Sequence, residues 1–330
     1  SWYNKTSNKT ENIKTLVDYF TNYGTKELEA YQTNDLIFSN IEWNSFSSIR
    51  KEEVLMNYRM AYLSESMVNW CEDLGTVLAN DEVKEGLSER GGYPVVQKSM
   101  MQWSLRISAY SERLLEGLKK IDFSTSLKEQ QKNWIGKSEG SLITFNIHQS
   151  NIKIDVFTTR PDTIFGVSFL TLAPESEILE KIVSQQQKKE VKDYIVKTSK
   201  KSERERQANQ GNPSGVFTGA YAIHPLTEEK LPLWISEYVL SGYGTGAVMA
   251  VPAGDQRDYD FAKKYKLNIP KIFKDVDISK SAYVEKNVEY INSSFINGCN
   301  YEQATIKVFD AIKSKKVGIK KINYRLRDAI

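Results

Sequence analysis

Two short segments of this 330-residue chain concentrate the side chains that could take part in chemistry. The first, residues 157–166, holds three threonines, an arginine and an aspartate where an alternating apolar segment ends. Hydroxyls and charges gathered at a strand end can converge on a ligand. A structural explanation is also open, because Pro161 presets a turn and Asp162 or Thr163 can cap the helical turn that follows.

The second segment, residues 243–258, combines a glycine-rich turn, a short apolar run and two carboxylates. Its glycines let backbone amides approach a ligand closely, but their spacing matches neither a dinucleotide fingerprint nor a P-loop. Asp255 and Asp258 are three residues apart, so a helix that begins there carries both carboxylates near its positive end. Capping by Asp255 explains the same pattern. Spacing alone therefore predicts a polar pocket beside a helix N-terminus.

Composition argues against several other kinds of chemistry. The two histidines and two cysteines are scattered without metal-ligand spacing, which argues against a zinc enzyme and a histidine-based triad. The cysteine count excludes a disulfide scaffold and indicates reduced thiols in the cytoplasm. A net charge of +3 argues against wrapping nucleic acid by bulk electrostatics, although it leaves room for a local basic face such as residues 313–327. No apolar run is long enough to span a membrane.

The elements that must position the two segments follow from hydrophobic periodicity. Residues 142–158 alternate around a polar turn and predict a β-hairpin. Residues 1–62 are mostly helical in pattern, and Met100–Leu118 predicts an amphipathic helix. Further strands are predicted over 216–223, 231–240 and 247–251, with helices over 177–201 and 255–266. The pattern is that of a mixed α/β region preceded by a mostly helical arm.

Both chemical segments resemble the editing domain of leucyl-tRNA synthetase. The resemblance rests on TTRPDT at 158–163, GTGAVMAVP at 244–252 and DQRD at 255–258. Flanking parts of that enzyme are resembled by NWC at 69–71, TVLAN at 76–80, AYSERLL at 109–115, NWIGKSEG at 133–140 and YRLRD at 324–328.

The fold that this resemblance implies is α/β. It has a mixed α/β editing domain over 135–322, with a small barrel-like sheet and surrounding helices. A mostly helical arm with a degenerate zinc-knuckle-like hairpin occupies 1–134, and a strand that returns toward a catalytic core occupies 323–330.

The activity that the resemblance implies is post-transfer editing. Editing hydrolyses the ester that joins a noncognate amino acid, such as norvaline, isoleucine or methionine, to the 3′-terminal adenosine of tRNA(Leu). One methylene distinguishes amino acids by only about 1–3 kcal/mol, so a second sieve is physically needed. The His-Ile-Gly-His-type and Lys-Met-Ser-Lys-Ser-type motifs of aminoacyl-adenylate synthesis are missing from this sequence. We therefore expect no leucine activation by this chain and no cofactor for editing, with ATP and Mg left to the parent ligase.

Residue roles carry over from the matching motifs. Thr163 would be the gate that excludes leucine, Met249 and Val251 would line the side-chain pocket, and Asp258 would hold the α-ammonium group. The remaining candidates surround the ester and its adenosine or support the site: Thr158, Thr159, Asp255, Arg160 and Asp162 as catalytic residues, and Leu240, Tyr243 and Val248 as adenosine-binding residues. Because neither motif contains a histidine, we expect a positioned water, helped by the ribose hydroxyl, to attack the ester.

Two departures from the family pattern qualify these expectations. Gly254 stands where many relatives have a histidine, and Cys71 is the single thiol left of a Cys-x-x-Cys knuckle. We therefore predict a metal-free module in which Cys71 is a buried small side chain. The expected partners are tRNA(Leu) and the rest of the synthetase, in a cytoplasmic monomer. Two alternatives stay open here: a non-catalytic module that binds the tRNA acceptor end, and an editing domain of the valyl or isoleucyl type.

Overall fold

The computed structural model divides the chain into two compact units. It describes residues 1–34, 36–199, 201, 205–206, 213–240 and 244–330. One unit comprises residues 1–83, 88–137 and 324–330, and the other comprises 84–87 and 138–323.

Short strands and helices alternate in the first 137 residues. The strands are β1 (Trp2–Asn4), β2 (Lys9–Glu11), β3 (Ala61–Cys71), β4 (Thr76–Leu78), β5 (Val83–Lys84), β6 (Leu87–Ser88) and β7 (Val96–Leu105). The helices are α1 (Ile13–Tyr23), α2 (Asn40–Ser45), α3 (Ser48–Met56), α4 (Ser111–Gly117) and α5 (Thr125–Ile135), with 3-10 turns at Asn80–Glu82 and Ile107–Tyr110. Aromatic side chains dominate the core around α1–α3, where Phe20 and Trp43 pack with their ring centroids 4.9 Å apart.

The helix predicted over Met100–Leu118 is wrong for its first half. Residues 96–105 form β7, which pairs antiparallel with β3 in the register Leu63↔Trp103, and helix begins only at α4. Met101, Trp103 and Leu105 alternate with more buried neighbours at a period of two, which is the strand period. The helical pattern predicted for residues 1–62 ends at Met56 in the structure, and β3 begins at Ala61. The arm thus holds a three-stranded sheet, β4–β3–β7, beside its helices.

Cys71 ends β3 with its side chain fully buried, as the sequence predicts. It lies opposite Thr76 of β4, and the two strands pair antiparallel around residues 72–75. Among the residues that the model describes, no group of three or more histidine, cysteine, aspartate or glutamate side chains is placed to hold a metal ion.

One seven-stranded sheet organises the second unit. Its strands are β8 (Ser138–Ile147), β9 (Lys153–Thr158), β10 (Phe169–Leu172), β11 (Gly215–Ile223), β12 (Lys230–Ser236), β13 (Ala247–Ala250) and β14 (Gly318–Asn323). The order is β13–β10–β12–β11–β8–β14 with β9 also paired to β8, and only the β10–β12 pair is parallel among these strands. The helices are α6 (Leu179–Ile182), α7 (Lys188–Thr198), α8 (Gln256–Tyr265) and α9 (Tyr301–Ser314), with 3-10 turns at Pro161–Gly166 and Ser294–Ile296.

Burial in this unit follows strand periodicity. Ile143, Phe145 and Ile147 of β8 alternate into the core, whereas all of β10 is buried because the strand is central. The predicted hairpin is confirmed as β8–β9, and the predicted helix over 177–201 is two helices, α6 and α7. None of the described helices is long and apolar enough to cross a bilayer.

Candidate functional site

The first chemical segment turns sharply where β9 ends. Thr158 is the last residue of β9, and its hydroxyl accepts a hydrogen bond from the Arg160 amide at 3.0 Å. The hydroxyl of Thr163 donates to the Arg160 carbonyl at 2.9 Å, inside the 3-10 turn that Pro161 opens. These side chain–backbone bonds fix the turn without help from a neighbouring strand. Thr159 is left exposed at its apex.

Arg160 and Asp162 pair with each other, as the sequence predicts for a supporting role. Arg160 Nη2 lies 2.8 Å from Asp162 Oδ2, and Nε lies 3.0 Å from the same oxygen. The Asp162 carboxylate is fully buried and also accepts the hydroxyl of Tyr290. Burial, followed by the Asp162 charge, raises the pKa of Tyr290 well above its usual value, so that hydroxyl stays a donor. Asp162 therefore anchors the turn through partners that already occupy both of its oxygens.

The second chemical segment starts α8. Asp255 is the N-cap of that helix and accepts the amides of Arg257 at 2.9 Å and Asp258 at 3.3 Å. The Arg257 guanidinium turns back on the same carboxylate, with Nη2 3.3 Å from Oδ2. Capping by Asp255 is thus real, and it places Asp258 in the first helical turn.

Asp258 is a buried carboxylate held by two donors. Only 4% of the residue is exposed. Its Oδ2 accepts the Val251 amide at 2.8 Å, and its Oδ1 accepts the Tyr238 hydroxyl at 3.0 Å. Burial, and next the charge of Asp255, raise the pKa of Asp258 to about 7, against the stabilising effect of these donors and of Arg257. The group can therefore change protonation near neutral pH.

The fold brings the two segments together around Gly254. A Cβ atom placed on Gly254 would lie 3.6 Å from Val251 Cγ1 and 3.7 Å from Thr163 Cγ2. Gly244 lies beside the last residues of β9, since a Cβ there would be 3.9 Å from Phe157 Cβ. The Thr158–Thr163 turn and the Val251–Asp258 segment thus form one site region, named here the turn–helix site.

The other predicted residues lie around this site to different degrees. Met249 and Val251 are buried, and Val248 is half-buried and paired with Thr171 of β10. Leu240 is half-buried. Tyr243 lies outside the described residues.

Sequence reasoning missed three polar side chains that complete the site. Tyr290 holds Asp162, Tyr238 holds Asp258, and the Thr171 hydroxyl lies 3.3 Å from that of Tyr238. Their partners are 128, 20 and 67 residues away along the chain, so no local spacing in the sequence predicts these contacts. An isolated tyrosine in an apolar run is typical of packing, and only the fold reveals where its hydroxyl points.

His224 has a structural role. Its Nε2 lies 3.0 Å from the Ile164 carbonyl oxygen, and its Nδ1 accepts the amides of Leu226 and Thr227. Because Nδ1 is an acceptor, Nε2 carries the proton and the ring is neutral. Burial also lowers the pKa of His224, which leaves it no role as a base in the turn–helix site.

Comparison with known proteins agrees with this geometry. The family model for the leucyl-tRNA synthetase editing domain matches residues 132–313, more than half of the chain. The whole chain aligns with the leucine–tRNA ligase of Christiangramia forsetii at 55% identity, covering 34% of that protein. It aligns with the ligase of Flavobacterium johnsoniae at 55% identity, covering 35%. The chain thus spans about a third of the length of these relatives.

A solved structure is similar as well. It is the ternary complex of Agrobacterium radiobacter K84 agnB2 LeuRS with tRNA and LeuAMS, which matches with a TM-score of 0.64 at 33% identity. The match covers 85% of this chain and 31% of that one. The chain therefore belongs to the leucyl-tRNA synthetase family and contains its editing domain.

Proposed function

We propose that this chain hydrolyses the ester bond of mischarged tRNA(Leu) at the turn–helix site. The observation that carries the proposal is the contact between the Thr158–Thr163 turn and the Val251–Asp258 segment inside a domain of the editing family. The turn offers hydroxyls and the helix N-terminus offers carboxylates. An ester with an ammonium group beside it needs both kinds of partner.

Exclusion of leucine is assigned to Thr163. Its hydroxyl is bonded to the Arg160 carbonyl, so its methyl group is fixed beside Gly254, where an added Cβ would lie 3.7 Å from it. A fixed methyl can reject a side chain by steric clash, whereas a freely rotating one would yield. Met249 and Val251 supply the apolar lining for norvaline, isoleucine or methionine.

Asp258 is assigned to the α-ammonium group. An ammonium donates charge-assisted hydrogen bonds, which are about twice as strong as neutral ones. Within the described part of the chain, each Asp258 oxygen accepts one hydrogen bond and keeps a second lone pair for such a donor. The arriving positive charge favours the anion and lowers the pKa of Asp258.

Hydrolysis itself proceeds without a strong protein base. Thr158, Thr159 and Asp255 surround the ester and position a water, and the ribose hydroxyl of the substrate assists the attack. Leu240, Tyr243 and Val248 hold the terminal adenosine. Leucine activation, with its ATP and Mg, belongs to the remainder of the parent ligase, and the reaction takes place in the cytoplasm.

Asp258→Asn separates hydrolysis from mere binding. We expect the single-turnover rate on isoleucyl-tRNA(Leu) to fall at least a hundredfold, while retention of the tRNA changes by less than about threefold, because the tRNA backbone does not contact this group. Asp260→Asn, on the same helix, is the matched control. Equal losses of hydrolysis and retention in Asp258→Asn would support a non-catalytic acceptor-end module instead.

Thr163→Ala tests the gate. Removing the fixed methyl should allow leucyl-tRNA(Leu) into the site and start its hydrolysis. Unchanged rejection of leucine would contradict the gate and favour a pocket of the valyl or isoleucyl type.

A further inference from the structure

Among the described residues, Tyr238 is the one side chain from outside the two sequence motifs that donates a hydrogen bond to Asp258. It follows β12, and its hydroxyl reaches Asp258 Oδ1 at 3.0 Å. Its ring packs against Phe261 of α8 at 5.9 Å between centroids, with the Arg257 guanidinium 6.0 Å from the ring centroid. The tyrosine therefore approaches Asp258 from the sheet, across the base of α8.

The hydroxyl of Tyr238 has a fixed direction. Thr171 of β10 is fully buried, and its Oγ1 lies 3.3 Å from the tyrosine oxygen. When the threonine donates to tyrosine, the tyrosine donates to the carboxylate, and the three groups form a chain in which each bond strengthens the next. On its other side, Asp258 Oδ2 accepts the Val251 amide at 2.8 Å. Two donors on two different oxygens fix the plane of the carboxylate.

We propose that Tyr238 is a positioning residue for editing, which orients the Asp258 carboxylate and holds it as an anion for the α-ammonium group of the substrate. The inference rests on the proposed function. Tyr238 itself does not touch the ester. It acts through Asp258, and Thr171 acts through Tyr238.

The charge state of Asp258 depends on the hydrogen bond from Tyr238. Among the described residues, the titratable and charged groups that face Asp258 are Asp255 and Arg257 from α8 and Tyr238 from the sheet side. Burial and Asp255 favour the neutral acid, and the balance leaves the pKa of Asp258 at about 7. Removing the Tyr238 hydroxyl takes away a bond that favours the anion, so the pKa of Asp258 rises further. Less of the enzyme then carries the anion at neutral pH.

Tyr238→Phe tests the inference in single-turnover hydrolysis of isoleucyl-tRNA(Leu) with the whole chain in excess. We expect the pH midpoint of the rate to rise by about one unit, which corresponds to one bond to a charged group. The rate at the wild-type midpoint should then fall about fivefold, and it should recover almost completely two units above that midpoint. Thr171→Val should shift the midpoint in the same direction by less. Tyr221→Phe, at a half-exposed tyrosine of β11, should leave the profile unchanged.

A second substrate separates positioning from structural damage. In the α-hydroxy analogue of isoleucyl-tRNA(Leu), a hydroxyl replaces the α-ammonium group, and the ester and the tRNA are unchanged. Tyr238→Phe should hydrolyse this analogue at the wild-type rate at every pH. An unshifted midpoint in Tyr238→Phe, or an equal loss on both substrates, overturns the inference while wild-type hydrolysis still stands. Absence of hydrolysis by the wild-type chain overturns the proposed function and this inference with it.

Discussion

At the residue scale, the three aspartates of the turn–helix site are in different electrostatic states. Asp162 is neutralised by Arg160 and receives the Tyr290 hydroxyl, so it serves the fold of the turn. Asp255 caps α8 and pairs with Arg257 at the surface. Asp258 is buried among neutral donors without a cation bonded to it, and its pKa is raised to about 7 by burial. It is the aspartate best suited to receive an ammonium group.

Breaking the Arg160–Asp162 pair should destabilise the domain. Asp162→Asn keeps the shape but removes the anion, and it leaves Arg160, whose side chain is only 18% exposed, without its partner. We expect a loss of about 3 kcal/mol in the free energy of unfolding, measured by urea denaturation. Glu53→Gln breaks the exposed Arg50–Glu53 pair and should cost less than about 1 kcal/mol. Similar losses in the two variants would show that Asp162 is not the anchor described here.

Gly254 leaves space beside Thr163, the proposed gate, and Gly254→Ala should reduce that space. The added methyl would make ordinary contacts with Phe273, Val251 and Thr163, so the chain should fold normally. We expect kcat/KM for isoleucyl-tRNA(Leu) to fall about tenfold relative to norvalyl-tRNA(Leu), since one methylene is worth about 1–3 kcal/mol in such a pocket. Gly117→Ala, where the added Cβ would meet nothing within 4 Å, is the control. A uniform effect on both substrates would place Gly254 outside the pocket.

At the element scale, the site depends on how β9 ends and on how α8 begins. β9 terminates in a turn closed by its own threonines, and α8 begins at a capped aspartate. At both ends, side chains bond to backbone groups only two or three residues away. Because these bonds are local, both motifs can be recognised in the sequence.

Asp255 caps α8 and also carries a negative charge, and two substitutions separate these two effects. Asp255→Asn keeps the cap, whereas Asp255→Ala removes it and should cost about 1 kcal/mol of unfolding free energy. Both variants remove a negative charge that raises the pKa of Asp258, so the pH midpoint of hydrolysis should move to lower pH in both. This shift is opposite in sign to that expected for Tyr238→Phe. A midpoint that stays in place would mean that Asp258 does not titrate in the reaction.

Helices and strands could be predicted from the sequence where the whole pattern lies within the element's own residues. The β8–β9 hairpin, β11, β13 and α8 follow from alternation or from capping within their own residues. β7 was missed as a strand, because Trp103 also lies at helical spacing from Ile107, Tyr110 and Leu114, and that stripe predicts a helix. Its partners in β3 are 26 to 44 residues away along the chain, so the pairing is set only by the tertiary fold.

The two motifs of the candidate site could be predicted from the sequence. The residues that hold the side chains of these motifs in place could not. Thr158–Thr163 and Asp255–Asp258 carry residue types that the family resemblance interprets directly. Tyr238, Tyr290 and Thr171 lie in segments where their hydroxyls have no local partner. The sheet order, which places β10 beside β12, brings Thr171 and Tyr238 together, whereas Tyr290 reaches Asp162 from the segment between α8 and α9.

At the scale of the whole molecule, the two units differ in what holds them together. The unit with the site has a large aliphatic core around one sheet. The other unit gathers three separate stretches of chain, and polar contacts tie its last residues down. Asp328 accepts the Tyr62 hydroxyl at 2.6 Å and the Ser108 amide at 3.0 Å, beside reciprocal backbone bonds between Leu105 and Ala329.

Asp328→Ala should loosen that unit locally. The Tyr62 and Ser108 donors would lose a charged acceptor, and hydrogen bonds to charged groups are worth about 1.5–3 kcal/mol each. We expect amide exchange in residues 105–108 to accelerate at least tenfold, measured by hydrogen–deuterium exchange and mass spectrometry. Asp122→Ala, at an exposed aspartate of the same unit, should leave these amides unchanged. Equal exchange in both variants would contradict the anchoring role.

The central claim is that the turn–helix site is a selective esterase for mischarged tRNA(Leu). The most direct measurement incubates the 330-residue chain, in molar excess, with isoleucyl-tRNA(Leu) and with leucyl-tRNA(Leu) and follows release of each amino acid. The account predicts rapid loss of isoleucine and retention of leucine at the rate of the uncatalysed ester. Release of both amino acids at one rate, or of neither even at large excess, would contradict it.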